Sequence, residues 1–241
     1  MNGGPALPER WVRGVFRHIA RRRAAPAAHP RGLTCPGVLE VPGGDPPWNV
    51  PLLDRPGRHE VLVRWSRAAG LPGSLPDALG LAVRVPDAGG PGRPLDLLLT
   101  SSGAGRLTRH LPLPRRDALA GPYSSVQSHQ VGDRVCVVLA FPHDAGRRIP
   151  GTLPGIRAAL DRAPARFALR CAAAGDPWRT LALLTVGPPL DRPPVSTLDF
   201  EPFAHSLPGL HPTLWLRRLR DAAYAGSREG RHSVIRPAAH Q

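Results

Sequence analysis

Two amphipathic segments flank a long central stretch of short alternating runs in this 241-residue chain. Within residues 9–23 and again within residues 213–228, apolar side chains recur at the three- and four-residue spacing of a helix. Between them, runs such as Val61, Val63 and Trp65 against Leu62 and Arg64 alternate as half-buried strands do. The pattern therefore predicts helix, strands, helix.

The central runs are bounded by Gly- and Pro-rich turns. They predict strands at 38–41, 60–66, 79–85, 95–100, 134–141, 166–173, 180–186 and 197–200. Residues 107–128 carry turn signals and one short helix, 156–162 indicates a helical turn, and 43–56 indicates a loop. We expect an α+β, mainly β protein: one domain over 1–241, with a closed antiparallel barrel of about eight strands at 36–203 and flanking helices.

The charge of the chain changes this picture little. The formal net charge of +14 favours polyanion binding, yet all 32 basic residues are arginine, which is typical of a GC-rich genome. The densest basic run is only residues 21–23, without interleaved aromatic residues. Nucleic-acid binding is the minority hypothesis.

Three widely spaced cysteines, Cys35, Cys136 and Cys171, form no CxxC pair and indicate buried free thiols. No apolar run reaches the length of a membrane span or a secretory signal. The expectation is a soluble cytoplasmic protein without membrane partners. A homo-oligomer is left open.

One candidate for chemistry is a histidine just before the predicted barrel. His29 in a Pro-rich connection is by itself typical of a solvated loop residue. The haem catalases, however, open their barrel with His-Ala-Lys-Gly, then Gly, then Glu-Val, and the sequence resembles this pattern at His29, Gly32, Gly37, Glu40 and Val41. The resemblance implies that His29 is the distal acid–base that moves a peroxide proton.

A second motif supports the same resemblance. Residues 63–66 read Val-Arg-Trp-Ser, and residues 77–84 read Asp-Ala-Leu-Gly-Leu-Ala-Val-Arg. They are similar to the catalase signature Val-Arg-Phe-Ser, then Asp-Pro-Arg-Gly-Phe-Ala-Val-Lys. The resemblance implies that Arg64 binds a haem propionate and that Ser66 orients His29.

The last helix carries the third motif, Arg220 and Tyr224. Four residues apart on a helix, they form by themselves an ordinary neighbouring pair. In the catalases a tyrosine preceded by arginine at this spacing ligates haem iron, which makes Tyr224 the expected metal ligand. Arg220 would stabilise the phenolate, and Arg231, with Arg228 as a fallback, would bind a second propionate.

Two positions depart from the family. The distal Asn of the catalases corresponds to Thr100, whose hydroxyl is shorter and lacks amide geometry, and the Arg three residues before the distal His is Pro26. Both changes affect peroxide handling or haem anchoring. Full catalases are also much longer than this chain.

The resemblance is therefore to small catalase-related haem proteins with haem b as cofactor. It implies a haem-dependent peroxidase or weak catalase acting on hydrogen peroxide or organic hydroperoxides with a small-molecule reductant. His29, Ser66 and Thr100 would be catalytic, and Arg64, Arg220, Tyr224 and Arg231 would hold the cofactor. A catalase-like haem-binding protein without turnover is the alternative.

Overall fold

The computed structural model describes residues 31–68, 75–144, 146–191 and 200–213 of the chain. All of them belong to one unit, Arg31–Thr213. The helices predicted at 9–23 and 213–228 lie outside these ranges, apart from residue 213, and so do His29, Arg220, Tyr224 and Arg231.

Strands dominate the described residues. They are β1 Arg31–Val41, β2 Gly57–Arg67, β3 Leu79–Val85, β4 Leu95–Ser101, β5 Tyr123–Val131, β6 Arg134–Pro142, β7 Ala165–Ala172, β8 Arg179–Val186 and β9 Leu210–Pro212. Two helices, α1 Pro51–Asp54 and α2 Leu153–Arg162, and a 3₁₀ turn, Thr108–His110, connect them.

Eight of these strands close into a ring. Each of β1 to β7 pairs antiparallel with the strand that follows it, and β8 returns to β1 where Gly37 opposes Val186. The β4–β5 pairing is short, with Thr100 opposite Ser124 and Ser101 opposite Tyr123. β9 adds to the far end of β5. The predicted closed antiparallel barrel of about eight strands is confirmed.

The interior of the barrel is filled by every second residue of the strands, as the alternation predicted. Trp65, Tyr123 and Phe167 are fully buried there, with ring centroids 5.6 to 6.1 Å apart in edge-to-face arrangements. The Trp65 Nε1–H donates to the Tyr123 hydroxyl (3.1 Å), which donates to the Ala118 carbonyl (2.7 Å). Burial raises the pKa of Tyr123 above its usual value, so this phenol stays protonated.

Several boundaries differ from the sequence prediction. β1 begins at Arg31 rather than at residue 38, and β5 lies where turns were predicted. α1 interrupts the predicted loop 43–56, because the Asp54 carboxylate accepts hydrogen bonds from the Trp48 and Val50 N–H groups. Of the strand predicted at 197–200, Phe200 alone is described, and it is not in a strand.

We expect Gly132→Ala to destabilise the barrel by about 2–3 kcal/mol. Gly132 has a φ of 58°, and a Cβ there would lie 1.6 Å from the Trp48 carbonyl oxygen, so the backbone must move. Gly92→Ala is the matched control, because its φ is 70° and no atom lies within 4 Å of the Cβ position. That variant should lose only about 1 kcal/mol. Urea unfolding of both checks the difference, and equal losses would contradict it.

His129 makes the stability of the folded protein depend on pH. It is buried on β5, and burial, against a hydrogen bond to the Gln127 carbonyl, lowers its pKa from 6.5 to about 4. Between these values the unfolded chain binds a proton that the folded protein does not, so stability falls on acidification. We expect a loss of about 3 kcal/mol from pH 6.5 to pH 4. Denaturant unfolding at both pH values should show this loss in the exposed control His143→Gln and a much smaller loss in His129→Gln. An equal loss in both variants would contradict the assignment of the pH dependence to His129.

Candidate functional site

The outside of β1 to β4 carries three of the site residues predicted from the sequence: Arg64, Ser66 and Thr100. Residues directly opposite in an antiparallel pair share a face, and alternate residues point inward. One row across the four strands is Thr34, Arg64, Ala82 and Leu98. The next row is Gly32, Ser66, Gly80 and Thr100. These eight residues are called the outer face below.

Small side chains make much of the outer face smooth. At Gly32 a Cβ would lie 2.9 Å from the Trp65 carbonyl oxygen and 3.1 Å from the Arg64 guanidinium carbon, which excludes a larger residue without displacement. Gly80 and Ala82 continue this low surface on the neighbouring strand. A flat ring system can approach such a surface closely.

Polar groups interrupt this surface at a few defined points. Ser66 and Thr34 are 4% and 3% exposed. The Thr34 hydroxyl has no hydrogen-bond partner within the described part of the chain. Buried hydroxyls are normally paired, so this oxygen is a ready donor or acceptor for another group.

The other two polar residues are constrained by their surroundings. Thr100 Oγ1 donates to the Leu79 carbonyl at 3.3 Å, which leaves its lone pairs to accept. Arg64 is half-buried, and burial lowers its pKa below the usual value. A guanidinium remains charged under these conditions and suits a carboxylate.

The structure thus brings three predicted residues together. Ser66 and Thr100 lie in one row on either side of Gly80, and Arg64 lies two residues before Ser66 on β2. Thr34 was missed, because its lack of a partner depends on packing and leaves no trace in the sequence. The contacts predicted for His29, Arg220, Tyr224 and Arg231 lie outside the described residues and stay predictions.

One row further along β3 and β4 is a buried ionic cluster. Asp96, 1% exposed, accepts from Arg84 Nε and Nη2, both at 2.7 Å, and from His205 Nδ1 at 2.7 Å and the Glu201 N–H at 2.8 Å. Burial opposes the charge, but these hydrogen bonds outweigh it and hold the pKa of Asp96 below 3.8. The cluster fastens residues 200–205 to the barrel beside the outer face.

The described residues contain no group of three or more His, Cys, Asp or Glu side chains able to hold a metal ion. Among the helices in these ranges, none is long and apolar enough to cross a membrane. As predicted, Cys35, Cys136 and Cys171 are buried and free.

Comparison with solved structures identifies the fold as catalase-like. A fungal catalase superposes with a TM-score of 0.62 at 11% identity, covering 96% of this chain and 63% of that one. Catalase A from Saccharomyces cerevisiae gives 0.60 at 10% identity, covering 96% and 66%. The chain therefore spans just under two thirds of each catalase. No protein-family model matches the sequence, and neither does any curated protein.

Proposed function

We propose that this chain binds haem b against the outer face and acts as a haem-dependent peroxidase or weak catalase on hydrogen peroxide or organic hydroperoxides. The observation that carries the proposal is the unpartnered Thr34 hydroxyl on a smooth face that also holds Arg64, Ser66 and Thr100. The catalase-like fold supports it.

The described residues fit one side of a planar tetrapyrrole. Gly32, Gly80 and Ala82 would present no bulky side chain to its face, and the Arg64 guanidinium would bind a propionate. Tyr224 would hold the iron through its phenolate, with Arg220 stabilising the phenolate and Arg231 binding the second propionate. Haem would supply an iron centre that weakens the peroxide O–O bond.

The protein's own part in this chemistry is the handling of protons. His29 would take a proton from the bound peroxide and return it to the leaving oxygen, which departs as water or an alcohol. Ser66 would hold the imidazole in orientation. Thr100, whose hydrogen is directed at Leu79, would accept a hydrogen bond from the peroxide. A small-molecule reductant would supply the two electrons of a peroxidase cycle.

Absorption spectroscopy of the haemin-reconstituted full chain tests the proposal. The sequence has only two tyrosines, and Tyr123 is buried with its hydroxyl bound to Ala118 and Trp65. The ferric-tyrosinate bands should therefore vanish in Tyr224→Phe and persist in the matched control Tyr123→Phe. Unchanged bands in Tyr224→Phe would overturn the assignment of the ligand.

The second candidate is a haem-binding protein without turnover. The Thr100 hydrogen bond to Leu79 favours it, because a hydroxyl committed to the backbone is a poor substitute for an amide that donates to peroxide. Full haem occupancy combined with peroxide consumption no faster than that of free haemin would select this alternative.

A further inference from the structure

Two cysteines meet inside the barrel at the end of β5 and β6 remote from the short β4–β5 pairing. Cys136 on β6 lies opposite His129 on β5, and Cys171 on β7 lies opposite Val138. Cys136 and Cys171 are therefore diagonal neighbours on one interior face of adjacent strands. The strand register thus brings together two thiols that are 35 residues apart in sequence.

The two thiols are chemically unequal. The hydrogen bond from Cys171 lowers the pKa of Cys136, in spite of burial, and the Arg134 and Arg179 guanidinium groups act in the same direction against Asp176. The same hydrogen bond, together with burial, raises the pKa of Cys171. The thiolate is the nucleophile, and Cys136 directly follows the half-exposed residues Arg134 and Val135. Its position and the lowered pKa both favour Cys136 as the thiol that reacts first.

We propose that Cys136 and Cys171 form a reversible disulfide when the protein is exposed to a peroxide. The Cys136 thiolate attacks one peroxide oxygen, the O–O bond breaks, and the other oxygen leaves as an alcohol or water after taking a proton. The Cys171 sulfur then displaces hydroxide from the resulting sulfenic acid, and hydroxide and the Cys171 proton leave as water. One peroxide is reduced by two electrons, and two thiols become one disulfide.

The strands around the pair are suited to a small adjustment. Diagonal neighbours have Cα atoms about 7–8 Å apart, slightly more than the roughly 4.4–6.8 Å of most disulfides. The β7–β8 ladder shifts register between Leu169 and Arg170, immediately before Cys171. A bulge is a point where the ladder is already interrupted, so on the β8 side Cys171 can shift toward Cys136 with little loss of regular pairing.

Access comes from the same end of the barrel. The turn at Gly132 leads directly into β6, where Arg134 and Val135 are about half exposed. Both thiols are 2% exposed, so a peroxide reaches them during local opening of this hairpin. Oxidation should therefore be slower than that of an exposed thiol. Cys35, on β1 between β2 and β8, has no place in this pair.

Peptide mapping of the full chain tests the proposal. The reduced protein is treated with hydrogen peroxide or tert-butyl hydroperoxide, unfolded, alkylated and digested with trypsin. We expect one disulfide, linking the peptides 135–147 and 171–179, while Cys35 in peptide 32–58 is alkylated. Dithiothreitol should restore all three thiols. Three alkylated cysteines after peroxide, or a link that includes Cys35, would overturn the proposal.

Variants separate the roles of the two thiols. Cys35→Ala should form the same disulfide as the wild type and is the matched control. In Cys171→Ser, dimedone should label Cys136 as a sulfenic acid, and in Cys136→Ser it should leave Cys171 unlabelled; the reverse labelling would contradict the order of attack. Should a buried serine prevent folding, Cys171→Ala and Cys136→Ala give the same comparison. The peptide map of the wild-type protein tests the disulfide without any variant.

Discussion

Replacing His29 with Gln is expected to lower peroxide consumption by the haem-loaded protein about 10²–10⁴-fold, the contribution of a positioned general acid–base. An imidazole with a pKa near 6.5 can accept and return a proton near neutral pH, whereas an amide cannot. His29 precedes Gly32 by three residues, and Gly32 lies opposite Ser66 on the outer face. The prediction rests on the proposed haem site.

The measurement is kcat/KM for hydrogen peroxide at equal haem occupancy, which the absorption spectrum reports. His143→Gln is the control, because His143 is exposed and lies at the end of β6, away from the outer face. Its rate should equal that of the wild type. A His29→Gln protein that retains haem and the full rate would remove His29 from the mechanism.

Apolar alternation was enough to predict the barrel where interior residues are large. β3 has exactly the predicted range because Leu79, Leu81, Val83 and Val85 form its inner row. β5 was missed because its middle is polar: Ser125 Oγ donates to the Gln127 carbonyl and accepts from the Val138 N–H. Buried hydroxyls satisfied by the backbone resemble a turn in sequence.

The candidate site was predictable to a different extent. Arg64, Ser66 and Thr100 were found through motif spacing, and the register explains why that spacing matters: each lies at an outward position of β2 or β4. The Thr34 hydroxyl and the Cys136–Cys171 contact depend on which strands become neighbours. Two residues that pair across distant strands carry no local pattern, so tertiary structure alone reveals them.

Removing the Asp96 carboxylate is expected to produce the largest loss of stability. Asp96→Ala leaves the Arg84 guanidinium, 11% exposed, without its bidentate partner and frees the Glu201 N–H and His205. Breaking one side of a buried ion pair costs about 3–5 kcal/mol, because the remaining charge is uncompensated. The consequence extends to residues 200–205, which Asp96 holds against the barrel through Glu201 and His205.

Denaturant unfolding measures this loss, with Asp191→Ala as the control. Asp191 is 95% exposed and pairs with Arg157 at 3.4 Å, so its removal should leave stability unchanged. A double variant, Arg84→Leu with Asp96→Leu, should recover part of the loss, since an apolar pair has no charge to desolvate. Equal stability of Asp96→Ala and Asp191→Ala would contradict the role of the cluster.

The pH dependence gives a second signature of the same carboxylate. Because the folded-state pKa of Asp96 lies below 3.8, the unfolded chain binds the proton first, and the contribution of Asp96 is complete above that value. It is lost as the pH falls further, through the folded-state pKa. His129 reduces stability at higher pH, between 6.5 and about 4, so the contributions of the two groups are lost in different pH ranges. In Asp96→Asn the free energy of unfolding should fall less at the lowest pH values, while the loss between pH 6.5 and about 4 should remain. The first loss is then assigned to Asp96 and the second to His129.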